Sequence, residues 1–479
     1  MRRYTRSLVG LALLVLAACS TPQVTIVSVE FTSHDDGDVV TGSRQVEVVA
    51  AVTAPSDATV VGEHDGQDLT FTRQGATLRA NVTLHDGDNA IEVTVSAEGK
   101  SDTAALTLVY PFVRVEDGQP GAYVIGQESD TSASATAPSN MRILEPYNRP
   151  AYVGGLFFVP DSGTHRVLVF DGVPTSTGAP ASFVVGQPSF DEFSPGTGLG
   201  AFNEPGAVVA HGDGLIVMDT QNSRILVFDE LPTGFGAQAD RVLGQPDEDS
   251  TDPGCSPTRF NHPDSAAFAG ERFIVADTDN HRVLIWNQFP ADADTPADVV
   301  LGQPDKGTCV DDELKPGAGA TASTLDTPQA VWSDGQRLIV ADTGNFRVLI
   351  WDEVPSTDAA PADHVIGQPD FSSDDPAVDV NASTFAWPAY VDSNGNQIFV
   401  ADEDNNRVLV WDEFPTTDGA PADHVLGQLD MSSWAPNRGQ VTPGPETLNH
   451  PSGLHYLDGR LFVADYFNHR IVVFEAAAP

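Results

Sequence analysis

Lysine is almost missing from this chain of 479 residues: Lys100, Lys306 and Lys315 are the only ones, and Lys and Arg together number 24 against 68 Asp and Glu. The formal net charge is −44. So acidic a surface repels nucleic-acid phosphates and anionic lipid head groups, which excludes a nucleic-acid reader built on a basic patch. Cysteine is scarce as well. After Cys19 only Cys255 and Cys309 remain. Long hydrophobic runs are lacking, since no segment approaches the ~20 apolar residues that cross a bilayer as a helix. Familiar catalytic signatures are missing too: the chain has no Gly-x-Ser-x-Gly elbow, no Ser-x-x-Lys and no His-Glu-x-x-His. No catalytic residue is assigned. Acidic clusters such as His34-Asp35-Asp36-Gly37-Asp38 and Asp374-Asp375 have the oxygen chemistry for calcium. None reproduces the EF-hand ligand order, and hydrated surface is the commoner role of such clusters.

What the chain does have is a repeat. The stretch Leu338-Ile339-Val340-Ala341-Asp342-Thr343-Gly344-Asn345-Phe346-Arg347-Val348-Leu349-Ile350-Trp351-Asp352 places a polar turn between two apolar runs, and near-copies occur six times. An Asp closes the first run and an Arg opens the second, as Asp161/Arg166, Asp219/Arg224, Asp277/Arg282, Asp342/Arg347, Asp402/Arg407 and Asp465/Arg470. A second landmark is an apolar run ending in Gly-Gln, at Gly126, Gly186, Gly244, Gly302, Gly367 and Gly427. Each of the first five Arg residues has its Gly-Gln 20 residues on, whereas Arg470 has none before Pro479 and Gly126-Gln127 has no Arg before it. The repeat is circularly out of phase, and Ala122–Gln127 is expected to complete the last unit. Each unit reads as four strands, exemplified by Pro328–Trp332, Arg337–Ala341, Arg347–Asp352 and His364–Gly367. The runs are apolar without a period of two, which suits sheets covered on both faces. Four short antiparallel strands repeated radially describe a β-propeller blade.

Val275–Trp286, Val-Ala-Asp-Thr-x-Asn-His-Arg-Val-Leu-Ile-Trp, resembles the repeat of the NHL propellers. The resemblance covers residues 121 to 475 and implies a six-bladed scaffold used as a binding platform, catalytic only in some members. In the peptide-amidating lyases of that kind it implies three channel histidines from different blades. Ahead of the repeats, Met1–Arg6 holds three arginines and Leu8–Ala18 is a short apolar run, a pattern that fits an export signal. The run ends Leu16-Ala17-Ala18-Cys19-Ser20, which resembles a bacterial lipobox and implies a lipid anchor on Cys19 in the cell envelope. The composition resembles that of secreted proteins from salt-adapted bacteria. Between residues 22 and 112, Thr25–Thr32, Gln45–Thr53, Thr59–Gly62, Leu69–Thr72, Ala76–Leu84, Ala90–Ser96 and Ala104–Val109 read as short strands of an immunoglobulin-like sandwich. The expected organisation is therefore all-β: signal 1–18, sandwich 19–112, linker 113–121 and propeller 122–479. The expected state is a monomer.

A residue repeated in every blade serves the blade, and a ligand site needs asymmetry. The Asp/Arg pairs, with Asn two residues before Arg in five units and Thr164 in the other, are thus read as turn architecture. The aromatics four residues after Arg are read as packing between blades. Function is sought where repeats differ, at the residue before the first-strand proline: Arg149, Glu204, His262, Thr327, Trp387 and His450. Arg149, Glu204, His262, Trp387 and His450 are the expected ligand-binding set, with His262 and His450 as candidate metal ligands. Zinc or calcium would be the ion. The partner classes are a protein, peptide or glycan, and a metal-dependent lyase or hydrolase at the channel mouth is the alternative. Export places Cys255 and Cys309 in an oxidising compartment. Lying in corresponding loops of consecutive repeats, they are expected to form a disulfide.

Overall fold

The computed structural model describes residues 28–34, 38–39, 45–65, 67–83, 87–97, 99–110, 117–134, 137–310, 319–376 and 378–475. The signal segment, Cys19 and Asp35–Gly37 lie outside them. The chain divides into two compact units, Met1–Phe112 and Val113–Pro479. No helix among the described residues is long and apolar enough to cross a membrane.

Among the described residues of the first unit, nine strands form two sheets. The strands are β1 (Ser28–Phe31), β2 (Asp38–Val39), β3 (Gln45–Thr53), β4 (Thr59–His64), β5 (Gln67–Asp68), β6 (Thr72–Gln74), β7 (Thr77–Thr83), β8 (Gly87–Ala97) and β9 (Lys100–Tyr110). The orders are β1-β3-β7-β6 and β2-β9-β8-β4-β5. The sheets pack face to face: Val48, Ala80 and Val82 of one share a buried cluster with Ile91, Leu106 and Leu108 of the other. One expected strand, Leu69–Thr72, is misplaced. Gln67–Asp68 pairs back on β4, and Thr72–Gln74 joins the opposite sheet through β7, so the chain changes sheets within that stretch.

The described residues of the second unit form six four-stranded antiparallel sheets, numbered 1 to 6 by their first strands Ala151–Val153, Pro205–His211, Pro263–Ala269, Pro328–Ser333, Pro388–Ser393 and Pro451–Leu457. Full burial of the apolar runs has a simple cause. Along Leu338–Asp342, Leu338 and Val340 face a cluster shared with sheet 3, while Ile339 and Ala341 face one shared with sheet 5. Both sides of the strand are interior, so both parities are apolar. The aromatics after Arg fill the same interfaces: Phe228 packs with Phe158 and Val169 of sheet 1. Sheet 6 meets sheet 1 through Phe462 and Phe157, whose rings lie 5.0 Å apart. The sheets therefore close on themselves, as in a β-propeller.

Tyr123–Ile125 is the fourth strand of sheet 6, with Tyr123, Val124 and Ile125 opposite Val473, Val472 and Ile471. Asp117 and Gly118, expected as linker, also belong here. Asp117 accepts from Val425 N at 2.9 Å and Gly118 N donates to Val425 O at 3.0 Å, on the outer strand of sheet 5. Asp358 and Ala359 treat Val300 of sheet 3 identically, and Asp418 and Gly419 treat Val365 of sheet 4 likewise. Each turn satisfies polar groups on the outer edge of its neighbour, which removes a template for edge-to-edge aggregation.

Candidate functional site

The mouth of the ring is built by residues common to all sheets. Each repeat Asp and Arg form a fully buried pair. In sheet 3, Arg282 Nε donates to Asp277 Oδ2 at 2.7 Å, Nη1 to Lys306 O at 2.7 Å, and Nη2 to Ser256 O and Arg259 O at 2.8 and 2.9 Å. The other oxygen, Asp277 Oδ1, accepts Asn261 N at 2.7 Å, and Asn280 Nδ2 bonds Asp277 Oδ2 at 2.8 Å. One carboxylate thus fixes the approach to the first strand while the guanidinium holds three carbonyls of the long loops. The glutamine of Gly-Gln completes the clamp: Gln303 Nε2 donates to His281 O at 2.9 Å and Val310 O at 2.7 Å, joining turn to loop. A glycine precedes it because Gly186 sits at φ +90° and a Cβ there would lie 2.2 Å from Phe202.

On this frame the variable residue before the first-strand proline takes a left-handed backbone: Glu204, His262, Thr327, Trp387 and His450 have φ of 48°, 49°, 50°, 65° and 55°. Such a conformation in non-glycine residues is strained unless held. It is held by the turn of the preceding sheet. Glu204 N donates to His165 Nδ1 at 3.1 Å, Thr327 N to His281 Nδ1 at 3.2 Å, and His450 N to Asn406 Oδ1 at 2.9 Å. Glu145 N donates to His469 Nδ1 at 3.2 Å, and Glu145 has φ 55°. Phe346 has no acceptor for this role and packs edge-on against Trp387, ring centroids 6.4 Å apart. Accepting at Nδ1 makes His165 and His469 neutral Nε2–H tautomers, and burial lowers the pKa of both.

The first repeat requires a correction. Its counterpart of Glu204 is Glu145-Pro146, not Arg149-Pro150. Leu144 N meets Asp161 Oδ1 across 17 residues, where Asn203 meets Asp219 across 16, so the first repeat carries one extra residue. Arg149 lies just ahead of the innermost strand, Ala151–Val153. Its Nε donates to His455 Nδ1 at 3.2 Å, and the same His455 atom lies 3.5 Å from Asp392 Oδ2. Arg149 Nε can only donate, so His455 Nδ1 accepts there; burial lowers the His455 pKa.

At the mouth lies a cavity of about 360 Å3 to which Glu204, His262 and Trp387 contribute, together with Thr327. His450 does not line it: its Nε2 lies 3.5 Å from Asp404 and its ring 4.5 Å from that of Phe467. Residues not anticipated from sequence complete the walls, notably Glu145, Tyr147, Asp264, Gln329 and Tyr466. Tyr147 reaches across the ring, its hydroxyl accepting from Gln329 Nε2 of sheet 4 at 3.0 Å, and Asn148 Nδ2 donates to Asp264 O at 3.1 Å. Asp264 is 5% exposed, and burial pushes its pKa up to about 7. Burial, with Asp404 adjacent, pushes Glu403 up to about 8. His262 is hydrogen-bonded through Nδ1 to Asp279, which raises its pKa. His262 and His450 thus occupy separate pairs, and among the described residues no three His, Cys, Asp or Glu side chains converge as metal ligands. Cys255 and Cys309 form a disulfide with Cα atoms 6.1 Å apart, bridging the loops before sheets 3 and 4.

Comparison with known proteins gives one family match, the NHL repeat, over residues 448–474 in sheet 6. No curated protein matches the chain. Among solved structures, a protein of unknown function from Bacteroides thetaiotaomicron is 15% identical over 95% of this chain and 100% of its own, with a TM-score of 0.43. A putative phosphatase from the same organism is 11% identical over 95% of this chain and 98% of its own, also at 0.43. Titin domain M4 is 12% identical over 18% of this chain and 99% of its own, at 0.16.

Proposed function

We propose that this is an exported lipoprotein, anchored through Cys19, whose six-bladed NHL-type propeller captures a protein or peptide partner at the channel mouth. The immunoglobulin-like sandwich acts as a spacer from the membrane. One observation carries the reading. The residues that recur in all six sheets are consumed in holding turns and loops, while those that differ, Glu145, Glu204, His262 and Trp387, meet at one cavity. Exposed aromatic side chains extend the same face. Phe467 is 47% exposed beside His450, and Trp434 is 57% exposed with its carbonyl bound by Asn406. Large aromatics around a polar cavity are what protein interfaces use as anchors.

Capture from envelope extract tests the reading. A Glu204→Ala/Trp387→Ala protein should lose the partner that the wild type retains, with unchanged melting. Retention by the variant would move the site to the outer loops. Mass spectrometry should find acyl chains on Cys19, and Cys19→Ser should release the protein from membranes.

An acid–base enzyme at the same mouth is the second reading, favoured by Asp264, which lines the cavity and whose pKa burial pushes up to about 7. Turnover in a hydrolase and lyase substrate screen, abolished by Asp264→Asn, would establish it in place of capture.

A further inference from the structure

The mouth has a strongly one-sided chemistry. Among the described residues no lysine or arginine lines the cavity, and its histidine, His262, is already paired with Asp279. Three carboxylates come from three different sheets: Glu145 from sheet 1, Glu204 from sheet 2 and Asp264 from sheet 3. Aromatic walls stand beside them in Tyr147, Trp387 and Tyr466.

A second, independent feature points to a donor that the protein itself does not provide. Gln329 lines the cavity, is 7% exposed, and its Oε1 has no hydrogen-bond partner. Its amide nitrogen is engaged by Tyr147 Oη, so the unmet atom is an acceptor. A buried acceptor without a donor is costly, and a ligand that brings an N–H removes that cost.

We propose that the mouth binds an alkylammonium group, its charge facing Glu145, Glu204 and Asp264, one N–H meeting Gln329, and its aliphatic stem lying against Trp387 and the two tyrosines. An ammonium carries three donors spread in space, which suits acceptors arriving from separate sheets. A planar guanidinium is matched by one carboxylate gripped bidentately. Aromatic faces attract an organic cation through their quadrupoles and cover its methylenes. A bare metal ion would gain nothing from them, and no three ligands converge for one among the described residues. The ammonium comes either from a partner's lysine or from a free amine. The inference rests on the channel mouth being the binding face and specifies what that face recognises.

Isothermal titration of the full chain at low salt tests it with Nα-acetyl-lysine amide, cadaverine, Nα-acetyl-norleucine amide and Nα-acetyl-arginine amide. The lysine amide or cadaverine should bind saturably and at least tenfold tighter than the uncharged norleucine amide. Trp387→Ala and Gln329→Leu, each checked by melting, should each weaken that binding at least tenfold. Burial raises the Asp264 pKa to about 7, and a cation beside it lowers it again, releasing a proton. The apparent enthalpy near pH 7 should therefore depend on the ionisation heat of the buffer. A lysine amide tenfold tighter than cadaverine identifies a peptide source, and the reverse a free amine. Equal binding of lysine and norleucine amides, tighter binding of the arginine amide, or insensitivity to both variants overturns the proposal. Partner capture that depends on Glu204 and Trp387 without ammonium binding would overturn this inference alone. Capture indifferent to both residues would overturn the channel-mouth reading itself.

Discussion

At the scale of single residues, the Asp/Arg pairs carry the heaviest structural demand. Arg282 serves Asp277 and three carbonyls from full burial, so Arg282→Leu leaves a buried carboxylate without its cation. Breaking one side of such a pair costs about 3–5 kcal/mol. Urea unfolding should show a loss of that order, and a change below 1 kcal/mol would mean the pair is dispensable. Asp264 and Glu403 make a pH prediction. Both have folded pKa values, about 7 and about 8, above the ordinary carboxyl range. The folded state therefore holds more protons than the unfolded chain between pH 4 and pH 8. Their contribution to stability is complete below about pH 4 and is lost as pH rises through 7 and 8. Asp264→Asn, which cannot ionise, should flatten the decline in melting temperature across that window; an unchanged slope would refute the assignment.

At the scale of elements, the outer strands decide how the ring ends. Without residues 1–127 the strand Arg470–Glu475 loses its partner Tyr123–Ile125, and His469 O loses Gln127 Nε2. The truncated protein should melt lower and self-associate through the exposed edge, as sedimentation would report. Equal melting and a monomeric profile would show that closure is not required. At the Gly-Gln turn, Gly186→Ala places a Cβ 2.2 Å from Phe202 at φ +90°. That combination should cost at least the ~1–3 kcal/mol of a strained backbone residue, read as a shifted denaturant midpoint.

At the scale of the whole molecule, the disulfide ties two long loops whose cysteines are 54 residues apart around sheet 3. Cys255 is exposed, so mild reductant should open the bond without unfolding the ring. The reduced protein should be about 2–4 kcal/mol less stable, the typical effect of cross-linking the unfolded chain. Because the loops rim the proposed binding face, opening it should also weaken partner capture. Unchanged stability after verified reduction would assign the bond no structural weight.

Repetition is why so much was legible in one dimension. The six Asp/Arg pairs, the Gly-Gln runs and the orphan Gly126-Gln127 located the strands and the closing segment, because each copy faces the same local environment and so retains the same residues. Glu204, His262 and Trp387 were legible as variable positions on that frame. The sequence also marked Cys255 and Cys309 as a pair by their equivalent loops. What it could not convey was convergence. Arg149-Pro150 resembles the other repeats only in its proline: it stands too close to Asp161, and the hydrogen bond from Leu144 N to Asp161 makes Glu145-Pro146 the counterpart, with one residue more than the other repeats have. Counting back from Asp161, rather than matching the nearest proline, would have found it. Tyr147, Asp264 and Gln329 gave no local sign, since they meet only after six sheets close and bring residues 182 positions apart within 3.0 Å. The period set each sheet's internal contacts. Ring closure alone decided which unlike side chains face one another, because that depends on distances across the channel that no neighbouring residue in the chain senses.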